Sequence, residues 1–414
     1  MSSTSSSSGR PTDFRRRHRQ AHHESAHADD ASFQAVPDHL SGVPRGKALL
    51  IERDAQLAGM LDAIRAAGVF AFDTEFIGES SYRPQLCVLQ VATSDTIWLV
   101  DPIAGVDCMP IFELICDPSI AKTVHAGEQD LEQVHRATGK LPANVLDTQI
   151  VSGFAALGYP VALAKLALEL AGVMMHKGFT FTDWTQRPLS ASQLRYAADD
   201  VRYLPMLRRE LDATLDSLGR SAWARRECDE RIARLAETSR AEHQWKRVRG
   251  ANTLDGRGVN ILKRLVSWRD ASARTADLPV RTFLKDEVLI DLSRKPPSAI
   301  DRMSNIKHLP RPVIEQHGRA ILDAIQQGKA DPIDRLDDET PEPRLSEKFR
   351  IDTIWSALQL HCQQAGIDPA LVTSRQEVGD FVRQTDPARR DEHRLLQGWR
   401  REAAGLKLVE LVRP

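Results

Sequence analysis

The stretch Val69–Phe76, VFAFDTEF, constrains this chain more than any other. Four apolar residues, Val69-Phe70-Ala71-Phe72, run into Asp73 and Glu75 with only Thr74 between them. Side chains alternate along a β-strand, so Asp73 and Glu75 fall on one face at the end of a buried strand. Two carboxylates held side by side repel unless a shared proton or a divalent cation compensates. Ligands made only of oxygen suit Mg2+ or Mn2+. Acid pairs also serve solubility on surface strands, so the rest of the chain has to decide between the two readings.

A chain of 414 residues suggests two or three domains. Its 42% hydrophobic and 27% charged residues are those of an ordinary globular protein. No stretch approaches the ~20 uninterrupted apolar residues that span a bilayer, so no membrane is expected. Cys87, Cys108, Cys116, Cys228 and Cys362 are scattered without a CxxC pair, which predicts free thiols in a reducing compartment, the cytoplasm. The net charge of −1 hides an uneven distribution: Gln244–Gly328 holds 16 Lys+Arg against 9 Asp+Glu, a net of +7 that leaves −8 elsewhere. A basic module on an acidic body points to a polyanionic partner.

Along the chain, residues 1–45 read as a disordered extension. It contains the Ser2–Ser8 tract, RRRHR at Arg15–Arg19, and His22, His23 and His27. Its Arg- and Ser-rich start also has transit-peptide character, and the basic run could touch nucleic acid. A short strand, Ala48–Glu52, follows, with Asp54 as N-cap of a helix carrying Leu57, Met60, Leu61 and Ile64 that Gly68 stops. Beyond the VFAFDTEF strand come strands Leu86–Ala92 and Thr96–Val100, helix Pro110–Cys116, strand Ala121–His125, helix Glu128–Thr138 and strand Asn144–Asp147. Helical patterns then occupy Ala162–Ala171 and the long stretch Ser190–Leu218. Three strands in meander, then β–α–β, then helices predict an α/β domain over 46–240: a mixed sheet with helices on both faces, similar to the ribonuclease H-like arrangement.

From Gln244 the text is helical, with Ile261–Ala273, Val280–Leu284, Glu287–Ser293 and Val313–Gln327 separated by Pro279, Pro296-Pro297 and Pro310. This sets a first all-α module at 241–330. The proline- and acid-rich DPIDRLDDETPEPR, 331–344, reads as a linker, and a second helical module follows at 345–414, marked by Trp355, Leu358, Phe381, Trp399 and the terminal LKLVELV.

Two further motifs join Asp73 and Glu75. In His125-Ala-Gly-Glu-Gln-Asp130-Leu, Asp130 lies one turn into a helix at a strand–helix corner, where functional residues collect in α/β sheets; a helix-start acid is the plainer role. In Tyr196-Ala-Ala-Asp-Asp200, Tyr196 and Asp200 share one helix face and Asp199 lies on another. Asp-x-Glu on a strand, an acid at a strand–helix corner and Tyr-x-x-x-Asp on a later helix, in this order, resemble the tyrosine branch of the DEDD exonuclease superfamily. FDTEF, HAGEQDL, LDTQ at Leu146–Gln149 and YAADDVRYL at Tyr196–Leu204 are similar to bacterial ribonuclease D. LVSWRD at Leu265–Asp270 and FLKDEVLIDLSRKPP at Phe283–Pro297 resemble the HRDC module shared by RecQ helicases and ribonuclease D; the second module is assigned to the same type mainly by position. The resemblance runs from about residue 46 to the C-terminus.

The resemblance implies a metal-dependent 3′–5′ exoribonuclease that releases nucleoside 5′-monophosphates. Asp73, Glu75, Asp130 and Asp200 would hold two divalent ions, Mg2+ or Mn2+, and Tyr196 would help place the attacking water. The expected partner is RNA with a free 3′ end, tRNA precursors in particular, met by a monomer. Phe76, Gln90, His125 and Asp147 flank the motifs and could touch terminal nucleotides, with Phe76 offering a stacking face. GFTFTDW, 178–184, with Arg187, could shape a substrate channel. Candidate phosphate contacts are Lys246, Arg247, Arg249, Lys263, Arg264, Lys285, Arg294, Lys295 and Lys307. A 3′–5′ DNA exonuclease shares the same carboxylate set and remains open, although no GxxxxGK[ST] motif accompanies it. An inactive RNA-binding scaffold is the remaining reading, against which stand all five expected side chains.

Overall fold

The central strand, β2 (Val69–Ile77), lies inside a six-stranded sheet of order β1-β4-β3-β2-β5-β6. The structure is a computed structural model that describes residues 36–78, 80–175, 182–239, 241–333 and 345–412. Helix α1 (Leu57–Ala67) delivers the chain to β2 through Gly68, whose φ of 66° gives the left-handed turn that ends a helix sharply. Antiparallel pairs join β2 to β3 (Gln85–Ala92) and β3 to β4 (Ile97–Val100), the expected meander. Strand β1 (Leu49–Ile51) runs parallel to β4 at one edge; β5 (Ala121–Val124) and β6 (Val145–Asp147) run parallel to β2 on the other side.

Alternation along these strands sorts the side chains into two cores. Phe70 and Phe72 join Leu89, Val91, Trp98 and Val100 on one face, against α1, α2 (Met109–Cys116) and α3 (Glu128–Thr138). Ala71 joins Ala92, Ile97 and Leu99 on the other, against α6 (Ala191–Arg202) and α7 (Leu204–Leu218). Helices α4 (Thr148–Ser152) and α5 (Leu163–Ala171) join this second core through Ile150, Val151, Leu166 and Ala171. Parallel pairing of β2 with β5 stops at Ala71–Thr123, so the Asp73–Ile77 end of β2 projects past its neighbour and leaves a notch in the sheet.

Three local expectations are corrected. Asp54 does not cap α1: it opens a 3-10 turn, Asp54–Gln56, and accepts from the Asp107 backbone N–H at 2.9 Å, while the Gln56 side chain accepts from the Glu52 and Arg53 N–H groups. The stretch Ser190–Leu218 is two helices, because Pro205 in the first turn of α7 has no N–H to continue the ladder across Tyr203. Residues 36–45 are part of the folded body: Val36, Leu40 and Val43 are buried, and Arg202 donates to the Pro44 carbonyl at 2.6 Å. Their apolar residues sit among Pro and Gly without a helical or strand period, so nothing in the text marked them as core. The RRRHR run, His22, His23 and His27, most of the GFTFTDW stretch and most of the 331–344 linker lie outside the described residues.

Helix α8 (Ser221–Ser239) leads to the first all-α module, built on α9 (Gly256–Thr275), α10 (Asp286–Arg294) and α11 (Arg311–Ala330). Its core is separate: Ile261, Leu262 and Leu265 pack with Val288, Leu289, Ile321 and Ile325. Helices α9 and α11 touch backbone to backbone at Gly328, where an added Cβ would stand 2.5 Å from the Ile261 Cα. The second module, α12 (Leu345–Gln364), α13 (Arg375–Arg383) and α14 (Leu406–Val412), has no such independence. Its Ile354, Leu358, Phe381, Trp399 and Leu408 belong to the core that holds Val151, Phe154, Leu215 and Ala224 of the α/β domain. No helix among the described residues is long and apolar enough to cross a membrane.

Candidate active site

Three separate elements bring the predicted acids to the notch beside β2. Asp73 and Glu75 leave the face covered by α6, and a β-bulge between Glu75 and Phe76 turns the strand end just beyond them. From α6, whose Ser190 hydroxyl and Gln193 side chain form a reciprocal cap, come Tyr196 and Asp200, one turn apart. Tyr196 is hydrogen-bonded to Asp200 and packs against buried Trp184, ring centroids 6.0 Å apart.

Asp130 arrives from the opposite layer. It is 6% exposed in the first turn of α3, and the Thr74 hydroxyl, pointing away from Asp73, donates to its carboxylate. The loop before α3 is rigidly built. Asp147 accepts from the backbone N–H groups of Ala126 at 2.9 Å, Gly127 at 3.1 Å and Gln149 at 2.9 Å. Gly127 admits no side chain, since a Cβ there would meet the Val124 side chain at 2.7 Å.

The electrostatics confirm that these groups share one space. Burial raises Asp73 well above the usual carboxylate range, with Asp130, Asp200 and Glu75 adding to the effect in that order. Burial, then Asp130, lifts Glu75 to about 7. Asp200 reaches about 8 through burial and then Glu75. Asp130 reaches about 6 because burial outweighs the Thr74 hydrogen bond. Burial followed by the charges of Asp200, Glu75 and Asp73 raises Tyr196, so its hydroxyl keeps its proton.

Among the described residues no three acidic, histidine or cysteine side chains already form a closed ligand set, and Asp130 is engaged with Thr74. The donor chemistry nonetheless fits a hard divalent cation. It consists of oxygen atoms only, from four acids on three elements, and no lysine or arginine of the described residues is among the principal influences on any of them.

Comparison with known proteins bears directly on this arrangement. Residues 49–216 match the 3′–5′ exonuclease family model and 259–325 match the HRDC domain. Ribonuclease D of Gluconacetobacter diazotrophicus is 31% identical over 376 residues, 88% of this chain and 92% of the relative. The chain belongs to the ribonuclease D family. Ribonuclease D of Zymomonas mobilis is also 31% identical, over 88% of this chain and 93% of its own. The crystal structure of Escherichia coli RNase D, an exoribonuclease involved in structured RNA processing, superposes with a TM-score of 0.74 at 29% identity, covering 89% of this chain and 99% of that one. The chain is thus a 3′–5′ exoribonuclease on a fold whose chemistry depends on divalent metal.

Residues outside the acidic cluster divide sharply. Phe76 is half-buried directly after Glu75. Gln90 is fully buried and presents nothing to a nucleotide. His125 uses both ring nitrogens, on the Thr148 hydroxyl at 2.9 Å and the Val161 carbonyl at 3.0 Å, so it braces the loop before α3. Arg187 binds Asp101 and the carbonyls of Cys87 and Trp184, which makes it a strut rather than a channel wall. On the first module Lys285 and Lys295 are exposed, Lys263 lies over the Trp245 ring at 5.5 Å, Arg264 pairs with Asp331 at 2.7 Å, and Arg294 donates to Thr253.

Sequence reasoning missed Thr74 as the partner of Asp130 and Tyr82 as a bridge between domains. The Tyr82 hydroxyl donates to Asp270 at 2.7 Å, and Arg274 stacks over its ring at 5.2 Å. Neither contact has a local signal, since each joins residues more than 50 positions apart.

Proposed function

We propose that Asp73, Glu75, Asp130 and Asp200 hold two divalent cations, Mg2+ or Mn2+, and that Tyr196 orients the attacking water. With these groups the chain removes nucleoside 5′-monophosphates from the 3′ end of structured RNA, tRNA precursors among them. The observation that carries this reading is four acids and a tyrosine enclosed together, with no lysine or arginine of the described residues among the principal influences on the acids. Such a cluster is costly unless positive charge arrives from outside the protein.

When bound, a pair of such ions would lower the pKa of a water and stabilise charge on the leaving 3′ oxygen. The chain supplies the rest. Asp73 and Glu75 hold one face of the notch rigidly because they are set in a paired strand, and Asp130 closes it from the other layer. Tyr196, with its raised pKa, acts as a hydrogen-bond donor and not as a base. Phe76, at the bulge, offers a ring for the penultimate base. Lys263, Arg264, Lys285, Arg294 and Lys295 contact the phosphate backbone without reading sequence. With all five cysteines free, and edge strands β1 and β6 of only three residues, a cytoplasmic monomer suffices.

The deciding experiment digests 3′-extended tRNA and matched single-stranded DNA with Mg2+, using wild type and Asp73→Ala in parallel. Mononucleotides leaving the RNA 3′ end, lost in the variant, are expected. Faster loss of DNA would overturn the substrate and keep the site; digestion surviving in Asp73→Ala would overturn the site.

A further inference from the structure

Gln90 sits in the middle of β3 with no exposed surface, and neither its Oε1 nor its Nε2 has a hydrogen-bond partner. Among the described residues no other side-chain amide has both its atoms buried and unpartnered. That is an expensive residue to keep in a core, where a leucine or methionine of similar size would pack without penalty.

Its location supplies a reason. Gln90 is the direct cross-strand partner of Asp73 in the antiparallel β2–β3 register. Its neighbours Leu89 and Val91 belong to the core on the opposite face, so the Gln90 side chain enters the layer beneath α6 together with Asp73, Glu75, Tyr196 and Asp200. The remaining residues of that layer around it, Val88, Ala92, Leu99, Ala197 and Val201, carry no polar side-chain atom. Directly opposed Cβ atoms lie roughly 4.5–5.5 Å apart, within reach of a side-chain amide after a torsional adjustment. Among the described residues, the polar side chains that β2 turns into this layer beside Gln90 are Asp73, directly opposite, and Glu75, two residues further along.

We propose that Gln90 is a positioning residue: its Nε2 donates to the Asp73 carboxylate in the metal-loaded enzyme and fixes which carboxylate oxygen faces the ion. The inference rests on the reading of Asp73 as a metal ligand. Partners that orient metal-binding carboxylates typically cost 10–100-fold in metal affinity or activity when removed. The buried amide is thus retained at a cost to stability because the loaded site needs a donor there.

The test uses the full chain and Gln90→Met, which keeps the volume and removes both polar atoms. Three quantities are read: Mn2+ affinity by calorimetry, melting temperature in EDTA, and kcat and KM on a 3′-extended RNA. The expected result is a melting temperature raised by about 2–4 °C, Mn2+ binding weakened by about tenfold, and kcat lowered by about 10–100-fold with KM within about twofold. Unchanged Mn2+ affinity and kcat would overturn the proposal, as would a fall in melting temperature that accompanies the loss of affinity, since that pattern marks a packing role. If Gln90→Met does not fold, Gln90→Asn carries the test: weaker Mn2+ binding and lower kcat at constant KM support the proposal, and wild-type values reject it. Asp73→Ala separates the two levels. If it binds Mn2+ normally, the ligand reading itself fails; if it loses Mn2+ while Gln90→Met does not, only the role of Gln90 falls.

Discussion

The two helical modules are attached to the catalytic domain by opposite physics. The second shares the domain's core: Trp399 meets Phe154 edge-to-face at 4.8 Å, and Gly153 is so close to Leu371 that a Cβ would stand 2.4 Å from it. Buried Glu227 of α8 accepts from Arg400 of the module and from Arg231, which reaches the Tyr159 hydroxyl at 2.7 Å. Asp368 adds two backbone-level ties, accepting from Tyr159 N–H and donating its own N–H to the Gly153 carbonyl. The first module has a closed core of its own and meets the catalytic domain through polar contacts, Tyr82 with Asp270, Asp277 and Arg274, and Arg247 with Glu132 at 2.9 Å. The module recognised by its motifs and the one placed beside it in the same class mainly by position are therefore joined to the catalytic domain in different ways. The second is a wall of the catalytic domain, and the first is a body with its own core held to it by polar contacts.

The strongest way to break this comparison is Glu227→Gln. It leaves the Arg400 guanidinium, 2% exposed, with Glu230 at 3.0 Å as its remaining carboxylate beside the Leu371 carbonyl and the Trp399 ring, and removing one partner of a buried ion pair costs roughly 3–5 kcal/mol. The catalytic domain and second module should melt together, early and in one transition, while hydrogen exchange in α9–α11 stays protected. Unchanged melting, or early loss of the first module, would mean that the shared core does not set stability.

A second test uses pH. Glu75, Asp130 and Asp200 titrate at about 7, 6 and 8 in the folded chain, against 4.5, 3.8 and 3.8 as ordinary values. Raised carboxylate pKa values mean that the folded state holds more protons, so their stabilising effect is full below about pH 4 and fades as pH rises to 8. In EDTA the melting temperature of the catalytic body should fall from pH 5 to pH 8, and Mg2+ should reverse the fall at pH 8 more than at pH 5. The first module, with its separate core, should follow neither trend. A flat profile in EDTA would show that the four acids do not share one enclosed space.

How far the sequence foretold all this varies with the range of the interactions involved. The meander, the helices on both faces and the candidate acids were legible because they depend on local alternation and helical spacing: Phe70/Phe72 against Ala71/Asp73, and Tyr196 four residues before Asp200; the position of β1 beside β4 was not. The merging of the second module into the catalytic core was not, because α12 carries apolar residues on several faces, with Leu345 and Phe349 exposed and Ile354 and Leu358 buried, so its pattern points to no single neighbour. Gln90 was read as a nucleotide contact because its residue type and nearness to the motifs were visible but its register opposite Asp73 was not. The Thr74–Asp130 contact depends on the projection of β2 beyond β5, a property of the assembled sheet.

The nucleic-acid face sharpens the comparison further. On the proposed role of these groups as phosphate contacts away from the chemistry, replacing Lys285, Arg294 and Lys295 with Gln should raise KM by about tenfold and leave kcat within about twofold. Each lost contact should reduce the salt slope of binding by roughly 0.7–0.9, the increment per neutralised phosphate. A fall in kcat at constant KM would move these residues out of the binding track.

The smallest expected effect is the most informative about attachment. Tyr82→Phe keeps the ring under Arg274 but removes the hydroxyl that donates to Asp270 and accepts from Arg274 at 3.0 Å. The loss of two partly exposed hydrogen bonds is worth about 1 kcal/mol, too little to unfold a module with its own core. Melting should therefore move by only a degree or two. Yet Tyr82 lies on the β2–β3 connection just beyond Glu75 and Phe76, so a loosened bridge frees the first module relative to the notch. On the proposed binding track, structured RNA would touch both the basic module and the acidic site, while a short single strand would need only the site. KM should therefore rise for 3′-extended tRNA and stay constant for a short oligoribonucleotide. Equal rises for both would show that Tyr82 acts inside the notch and not as the joint between the two bodies.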